Sequence, residues 1–271
     1  MMRSGRGLFI VLTTLLIVPQ LHAQQLSISG STTAYLLVSK AAMVFMEDDN
    51  SLDISVASTG SSSGIEQLIN GQVDIAVSSR YLFDEEIRLA ASRGIHLVPF
   101  QIAYDYVIPV VHPKSRIKDI SQKQLRNIFS GAITNWQAVG GSDLEIEVIT
   151  RDKTSGTYSL WETKILQGQQ LFDGAEIVDS NFDMVEQVSR NPKAIGYISH
   201  GYLNLYVKPL SIDGVYGTRK GAINGNYPLN RTIFFFTRGW PQGKTLEFIN
   251  FVLNPGKGQK LVKESGFVSA F

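Results

Sequence analysis

The chain reads as an α/β protein of two lobes, each a mostly parallel sheet flanked by helices. Three observations carry this reading. Short apolar strands alternate with amphipathic helical segments, the alternation restarts after about residue 110, and small hydroxyl residues with glycine recur where a strand gives way to a helix.

The elements follow in order. Leu26 to Ile28 is a short apolar strand. In Thr33 to Glu47, Leu36, Leu37, Ala41, Val44 and Phe45 recur at three- and four-residue steps, the period of a helix with one buried face. Leu52 to Ala57 alternates as a strand, Gly64 to Asn70 is a short helix with Ile65, Leu68 and Ile69 on one face, and Val73 to Val77 is a strand. Asp84 to Arg93 forms a helix that Gly94 ends, and Leu97 to Val111 is strand-like. The second round begins with a helix at Ser121 to Ser130, where Ser121 and Gln124 have capping-box spacing. Glu145 to Ile149 is a strand, Thr157 to Gln167 and Met184 to Arg190 are helices, and Ala194 to Ile198 is a strand. The last third gives a strand at Thr232 to Thr237 and helices at Lys244 to Leu253 and Gly258 to Glu264. Phe234, Phe235 and Phe236 read as a strand buried on both faces.

The chain is expected to cross between lobes near Phe100–Tyr106 and to return near Tyr197–Tyr206, so that residues 24–103 and 204–271 form lobe 1 and residues 104–203 form lobe 2. Tyr104 and Tyr106 would pack at the crossing, and Trp136 reads as core or surface landmark. A cleft then lies where the carboxyl ends of the strands meet.

Three turns point into that cleft: Gly30-Ser31-Thr32-Thr33, Thr59-Gly60-Ser61-Ser62-Ser63-Gly64, and Arg151-Asp152-Lys153-Thr154-Ser155-Gly156-Thr157. The first N–H groups of a helix lack internal partners, and the macrodipole puts partial positive charge beside them, which together make an anion site. Hydroxyls add donors that rotate to suit a ligand, and Arg151 offers a two-pronged fork for two oxygens. One such turn is an ordinary helix cap. Three, two in the first lobe and one in the second, are the distribution that a closing cleft requires.

Gly60 to Gly64 also matches G-x-S-x-G between a strand and a helix, the setting of a serine hydrolase nucleophile, here Ser62. Of the histidines that follow it, His112 and His200 lie in no recognisable triad context. No H-E-x-x-H, histidine cluster or P-loop pattern occurs, so no metal site and no cofactor is expected.

Composition narrows the classes further. The 271 residues include 25 Lys+Arg and 24 Asp+Glu, a net charge of +1, and no cysteine. That excludes disulfide and thiolate-metal scaffolds, and it speaks against binding nucleic acid through bulk basicity. Arg3 and Arg6 precede an apolar run from Leu8 to Val18, broken by Pro19 and followed by Leu21-His22-Ala23. This is the pattern of a signal peptide over residues 1–23, too short to span a bilayer. The expected product is a periplasmic, monomeric protein without a membrane anchor, whose charge falls to −1 once two arginines leave with the leader.

Gly30–Thr33, Gly60–Gly64, Asp74–Arg80, Gln124–Gly131 with Thr134–Trp136, Arg151–Thr157, Ile195–Ile198 and Tyr227–Arg231 together resemble PstS-type phosphate-binding proteins, the receptors of the phosphate ABC transporter. The resemblance implies a hinged periplasmic binding protein of the second topological type. It implies inorganic phosphate as ligand, a membrane ABC permease complex as partner and no chemistry on the ligand; a sensor or adhesion role without transport is a variant of it. Carried over by position, Ser31, Thr32, Thr33, Ser61, Ser62, Ser79, Arg80, Arg151, Ser155, Gly156 and Thr157 would bind phosphate. Well-known members carry an aspartate where this chain has Ser79; it accepts the proton of hydrogen phosphate and rejects sulfate. Arg80 would either add charge to the cleft or pair with Asp74 or Glu85.

Overall fold

The computed structural model describes residues 24–49 and 52–271; the leader predicted over residues 1–23 lies outside them. Its elements are β1 (Gln24–Gly30), α1 (Tyr35–Glu47), β2 (Leu52–Ser58), α2 (Ser61–Ile69), β3 (Ile75–Ser78), α3 (Asp84–Ser92), β4 (Leu97–Val111), β5 (Asp119–Ile120), α4 (Gln122–Phe129), β6 (Glu147–Arg151), α5 (Gly156–Trp161), β7 (Glu176–Val178), α6 (Asn181–Arg190), β8 (Ala194–Ser199), β9 (Lys208–Pro209), β10 (Ser211–Ile212), α7 (Arg219–Ile223), β11 (Asn230–Arg238), α8 (Gly243–Leu253), α9 (Gly258–Glu264) and β12 (Val268–Ser269). Among the described residues, no helix is long and apolar enough to cross a membrane.

The sheet runs β2-β1-β3-β11-β4-β8-β6-β7, with β9 and β12 pairing along β4. Both outer parts are parallel, β2-β1-β3 on one side and β8-β6-β7 on the other. The expectation of mostly parallel pairing holds there. At the centre, β11 runs antiparallel to β3 and β4, and β8 runs antiparallel to β4. At 15 residues β4 is long enough, roughly 50 Å, to serve two cores. Its Ile102 and Ala103 pack with Leu26, Leu37, Ile75, Phe235 and Phe248. From Tyr106 onward it packs with Phe129, Trp161, Met184 and Tyr197. Val207, Leu210, Ile212, Tyr227 and Leu229 also belong to that second core.

The phenylalanine strand is buried on both faces. Period-2 alternation sends Ile233 and Phe235 toward α1 and α8, and sends Phe234 and Phe236 toward α2 and α3. Helix α4 is capped as its spacing predicts: Ser121 Oγ accepts from Gln124 N at 3.1 Å, and Gln124 Oε1 accepts from Ser121 N at 2.9 Å. The helix predicted to end at Gln167 is α-helical only to Trp161; a π-turn over Glu162–Leu166 follows, and Gln167 closes it in the left-handed region at φ 49°. In the second core the Trp161 and Tyr197 rings stack at 4.1 Å.

Four tyrosines, Tyr106, Tyr197, Tyr202 and Tyr227, are buried in or beside the second core. Burial raises every one of these phenols above the usual 10, Tyr106 to about 12 with the Asp105 charge adding to the effect, and the other three further. The folded protein keeps these protons while the unfolded chain begins to lose them near pH 10. Their contribution is therefore complete below pH 10 and is lost as pH rises above it, at about 1.4 kcal/mol per pH unit for each tyrosine. Urea unfolding midpoints should fall steeply above pH 10, and Tyr227→Phe should flatten that fall by one tyrosine's share.

Candidate functional site

The three hydroxyl turns meet between the two cores. The first stands between β1 and α1: Ser31 N donates to Val77 O at 2.8 Å, which ties it to the end of β3. Gly30 is there because a Cβ would overlap that same carbonyl and φ is +139°. The second turn opens α2, whose N-cap Gly60 has φ 91° and whose Ser62 N donates to Thr154 O of the third turn at 3.1 Å. The third opens α5, where Ser155 Oγ caps the helix by accepting from Thr157 N at 3.2 Å and Tyr158 N at 3.4 Å.

Side chains complete the junction. Thr33 Oγ1 and Thr157 Oγ1 lie 3.1 Å apart, and Ser61 Oγ and Ser79 Oγ 3.4 Å. Ser61 Oγ also accepts from Ser79 N at 3.1 Å. Gly156 faces this pair so closely that a Cβ would overlap Ser79 Oγ and stand 2.5 Å from Ser61 Oγ. Arg151, fully buried, donates through Nε to Val178 O at 2.9 Å, and through Nη2 to Asp179 O at 2.6 Å and Thr32 Oγ1 at 3.0 Å. Its main partners are neutral carbonyls, which fix the guanidinium without cancelling its charge; Asp152 stands 3.7 Å off and is partly solvated. Burial pulls the Arg151 pKa down, but a guanidinium stays protonated in proteins. Its Nη1 and the hydroxyl of Ser31 are buried without a hydrogen-bond partner among the described residues. Buried donors left unpaired are costly, so each of these groups calls for an acceptor.

Known proteins match most of this chain. A model described as the PBP superfamily domain matches residues 19–255. The phosphate-binding protein PstS of Borreliella burgdorferi is 32% identical over 255 residues, covering 89% of this chain and 88% of that one. PstS of Bacillus subtilis is 33% identical over 244 residues, covering 90% and 80%. This chain belongs to the PstS family. Its fold superposes on an ABC-type phosphate transport receptor from Vibrio cholerae with a TM-score of 0.76 and 30% identity, covering 90% of this chain and 99% of that one. A Clostridium perfringens protein crystallised with bound phosphate gives 0.84 and 29%, covering 92% and 100%. The fold is the two-lobed α/β fold of these proteins.

At this junction Thr32, Thr33, Ser61, Ser79, Arg151, Gly156 and Thr157 are linked by the contacts above, and Ser31 is buried next to Thr32. Ser155 spends its hydroxyl on the α5 cap. Arg80 takes the pairing role, but its partner is neither Asp74 nor Glu85: Glu86, one helix position further on, accepts from Nη1 at 2.8 Å and from Nη2 at 2.6 Å. Arg80 also donates to Ser62 Oγ at 2.9 Å and covers the Phe83 ring at 3.7 Å. Ser62 is thus engaged by an arginine rather than by a base. His112 Nδ1 accepts from Lys114 N, and His200 packs on Tyr106 at 4.4 Å, so the hydrolase reading finds no support.

Four groups escaped the sequence reading. Arg231 donates to Ser79 Oγ at 3.2 Å, Thr157 Oγ1 at 2.9 Å and Thr33 Oγ1 at 3.2 Å, and pairs with Asp105. Asn181 Nδ2 donates to Thr33 Oγ1 at 3.3 Å, and Tyr202 Oη donates to Thr32 O and Thr33 O. Tyr227–Arg231 is one of the segments that resemble the family, but no turn signal marks Arg231 as a site residue because it lies inside a strand.

Gly156→Ala tests how tightly the turns meet. The added methyl has no room against two buried hydroxyls, and overpacking of this kind costs about 1–3 kcal/mol. Scanning calorimetry should show a Tm lower by roughly 2–10 °C.

Proposed function

We propose that this chain captures inorganic phosphate between its two lobes and delivers it to a membrane ABC permease. The observation that carries the reading is the buried Arg151 guanidinium, held by carbonyls with Nη1 unpartnered, at the point where three helix-opening turns converge. A tetrahedral oxyanion matches that set: it brings charge for the guanidinium and acceptors for backbone amides and hydroxyls. Binding proceeds by hinge closure, the first two turns supplied by lobe 1 and the third by lobe 2. Lobe 1 comprises residues 24–103 and the C-terminal part, and lobe 2 begins at 104. The packing of Val207, Leu210, Ile212, Tyr227 and Leu229 in the second core supports a return nearer residue 230 than 204. The protein works as a periplasmic monomer after removal of residues 1–23, without an anchor, and performs no reaction on the anion.

Titration calorimetry on protein stripped of anion by unfolding and refolding tests this. One phosphate should bind per chain, and Arg151→Ala should weaken it by about 100-fold or more, the range for loss of charge-assisted hydrogen bonds. Absence of binding heat and of any Tm increase with phosphate, arsenate and sulfate alike would end the reading.

A further inference from the structure

Tyr202 lies outside the three turns, yet it grips one of them. It stands in the short turn that follows β8, and its ring packs in the second core with Phe182 edge-on at 5.0 Å. Its hydroxyl donates to Thr32 O at 3.1 Å and to Thr33 O at 3.0 Å. That turn leads into the other core: Ala34, Leu37 and Val38, directly after it, are buried with Leu26 and Phe248. The contact therefore joins the two cores through protein atoms alone.

The two carbonyls need such a donor. The ladder of α1 begins where Val38 N bonds to Ala34 O, so Thr32 O and Thr33 O precede it. A carbonyl enclosed without a donor is costly, whereas in solvent water supplies one. The phenol is a neutral donor: burial holds its pKa well above the usual 10, so it keeps its proton across the neutral range. Asn181, at the start of α6, backs the same turn. Its Oδ1 accepts from Ser199 N at 3.0 Å, which leaves Nδ2 to donate to Thr33 Oγ1 at 3.3 Å. The second turn is met as closely. Ser62 N donates to Thr154 O at 3.1 Å, and a Cβ on Gly60 would stand 2.5 Å from Thr154 Oγ1. An interaction made only when two lobes meet shifts their equilibrium toward the closed form. It slows release of a ligand held there and leaves encounter with the open form unchanged.

We propose that Tyr202 is a positioning residue that clasps the first turn from across the cleft and sets how long the closed protein holds its anion, a role that rests on the phosphate-capture reading above. Tyr202 gives nothing to the anion itself, since its one proton is spent on Thr32 O and Thr33 O. It acts by holding the backbone of that turn where Thr32 Oγ1 meets Arg151 and Thr33 Oγ1 meets Thr157.

Phosphate kinetics on Tyr202→Phe test the proposal, because the variant removes the hydroxyl and keeps the ring against Phe182. Radiolabelled phosphate, chased with excess unlabelled phosphate, should leave the variant about 3–10-fold faster than wild type, the range for one neutral hydrogen bond. The association rate should change by less than about 2-fold. Tyr227→Phe is the control. The Tyr227 hydroxyl donates to Val107 O at 3.0 Å within the second core, so its loss should lower the urea midpoint and leave the dissociation rate at the wild-type value. If Tyr202→Phe releases phosphate at the wild-type rate, or slows association instead, the clasp is wrong while phosphate capture stands. If both variants speed release alike, Tyr202 is a core residue only and the proposal falls. If the wild-type protein binds no phosphate, the functional reading itself falls and takes the clasp with it.

Discussion

Two guanidinium groups buried between two hydrophobic cores set the terms for everything around them. A buried cation is tolerated only where acceptors surround it, and each arginine meets that demand differently. Arg151 is held by the carbonyls of Val178 and Asp179, which orient it and leave its charge in force. Arg231 is held by a carboxylate and spends its remaining donors on the hydroxyls of Thr33, Ser79 and Thr157. The first provides charge at the junction; the second organises the hydrogen-bond polarity there.

The sheet makes this junction possible. Strand β4 carries residues of both cores, and β11 lies antiparallel beside it. Asp105 and Arg231 are register partners across that pair, which brings a carboxylate and a guanidinium distant in sequence to the same level of the sheet. The turns at the ends of β1 and β2, with the turn that opens α5, then close over them. Glycine is required at two close approaches: Gly30 against the Val77 carbonyl and Gly156 against the hydroxyls of Ser61 and Ser79.

Much of the fold was legible because its signals are local. The period of α1, the helical spans of α3, α8 and α9, the Ser121 capping box and the phenylalanine strand are all legible in the sequence, and the structure agrees with each. Strands β5, β7, β9, β10 and β12, of two or three residues, were missed because so short a segment has no period to read. The antiparallel insertion of β11 was missed because strand direction depends on the path of the chain, not on side-chain pattern. Arg80 shows the same division: its two possible roles could be named from sequence, but only packing chose Glu86 as its partner.

By itself the sequence determined the α/β class, the three anion-suited turns and Arg151 beside the third, because caps, glycines and hydroxyls act within a few residues. Tertiary structure alone decided that the turns converge, that Ser155 caps while Thr157 faces the junction, and that Arg231, Asp105 and Asn181 join them. Those contacts span 74 to 198 positions in the chain, as between Arg231 and Thr157 or Thr33. No local rule reaches that far: such pairs are set by sheet register and by the burial of two cores, which only the folded chain possesses.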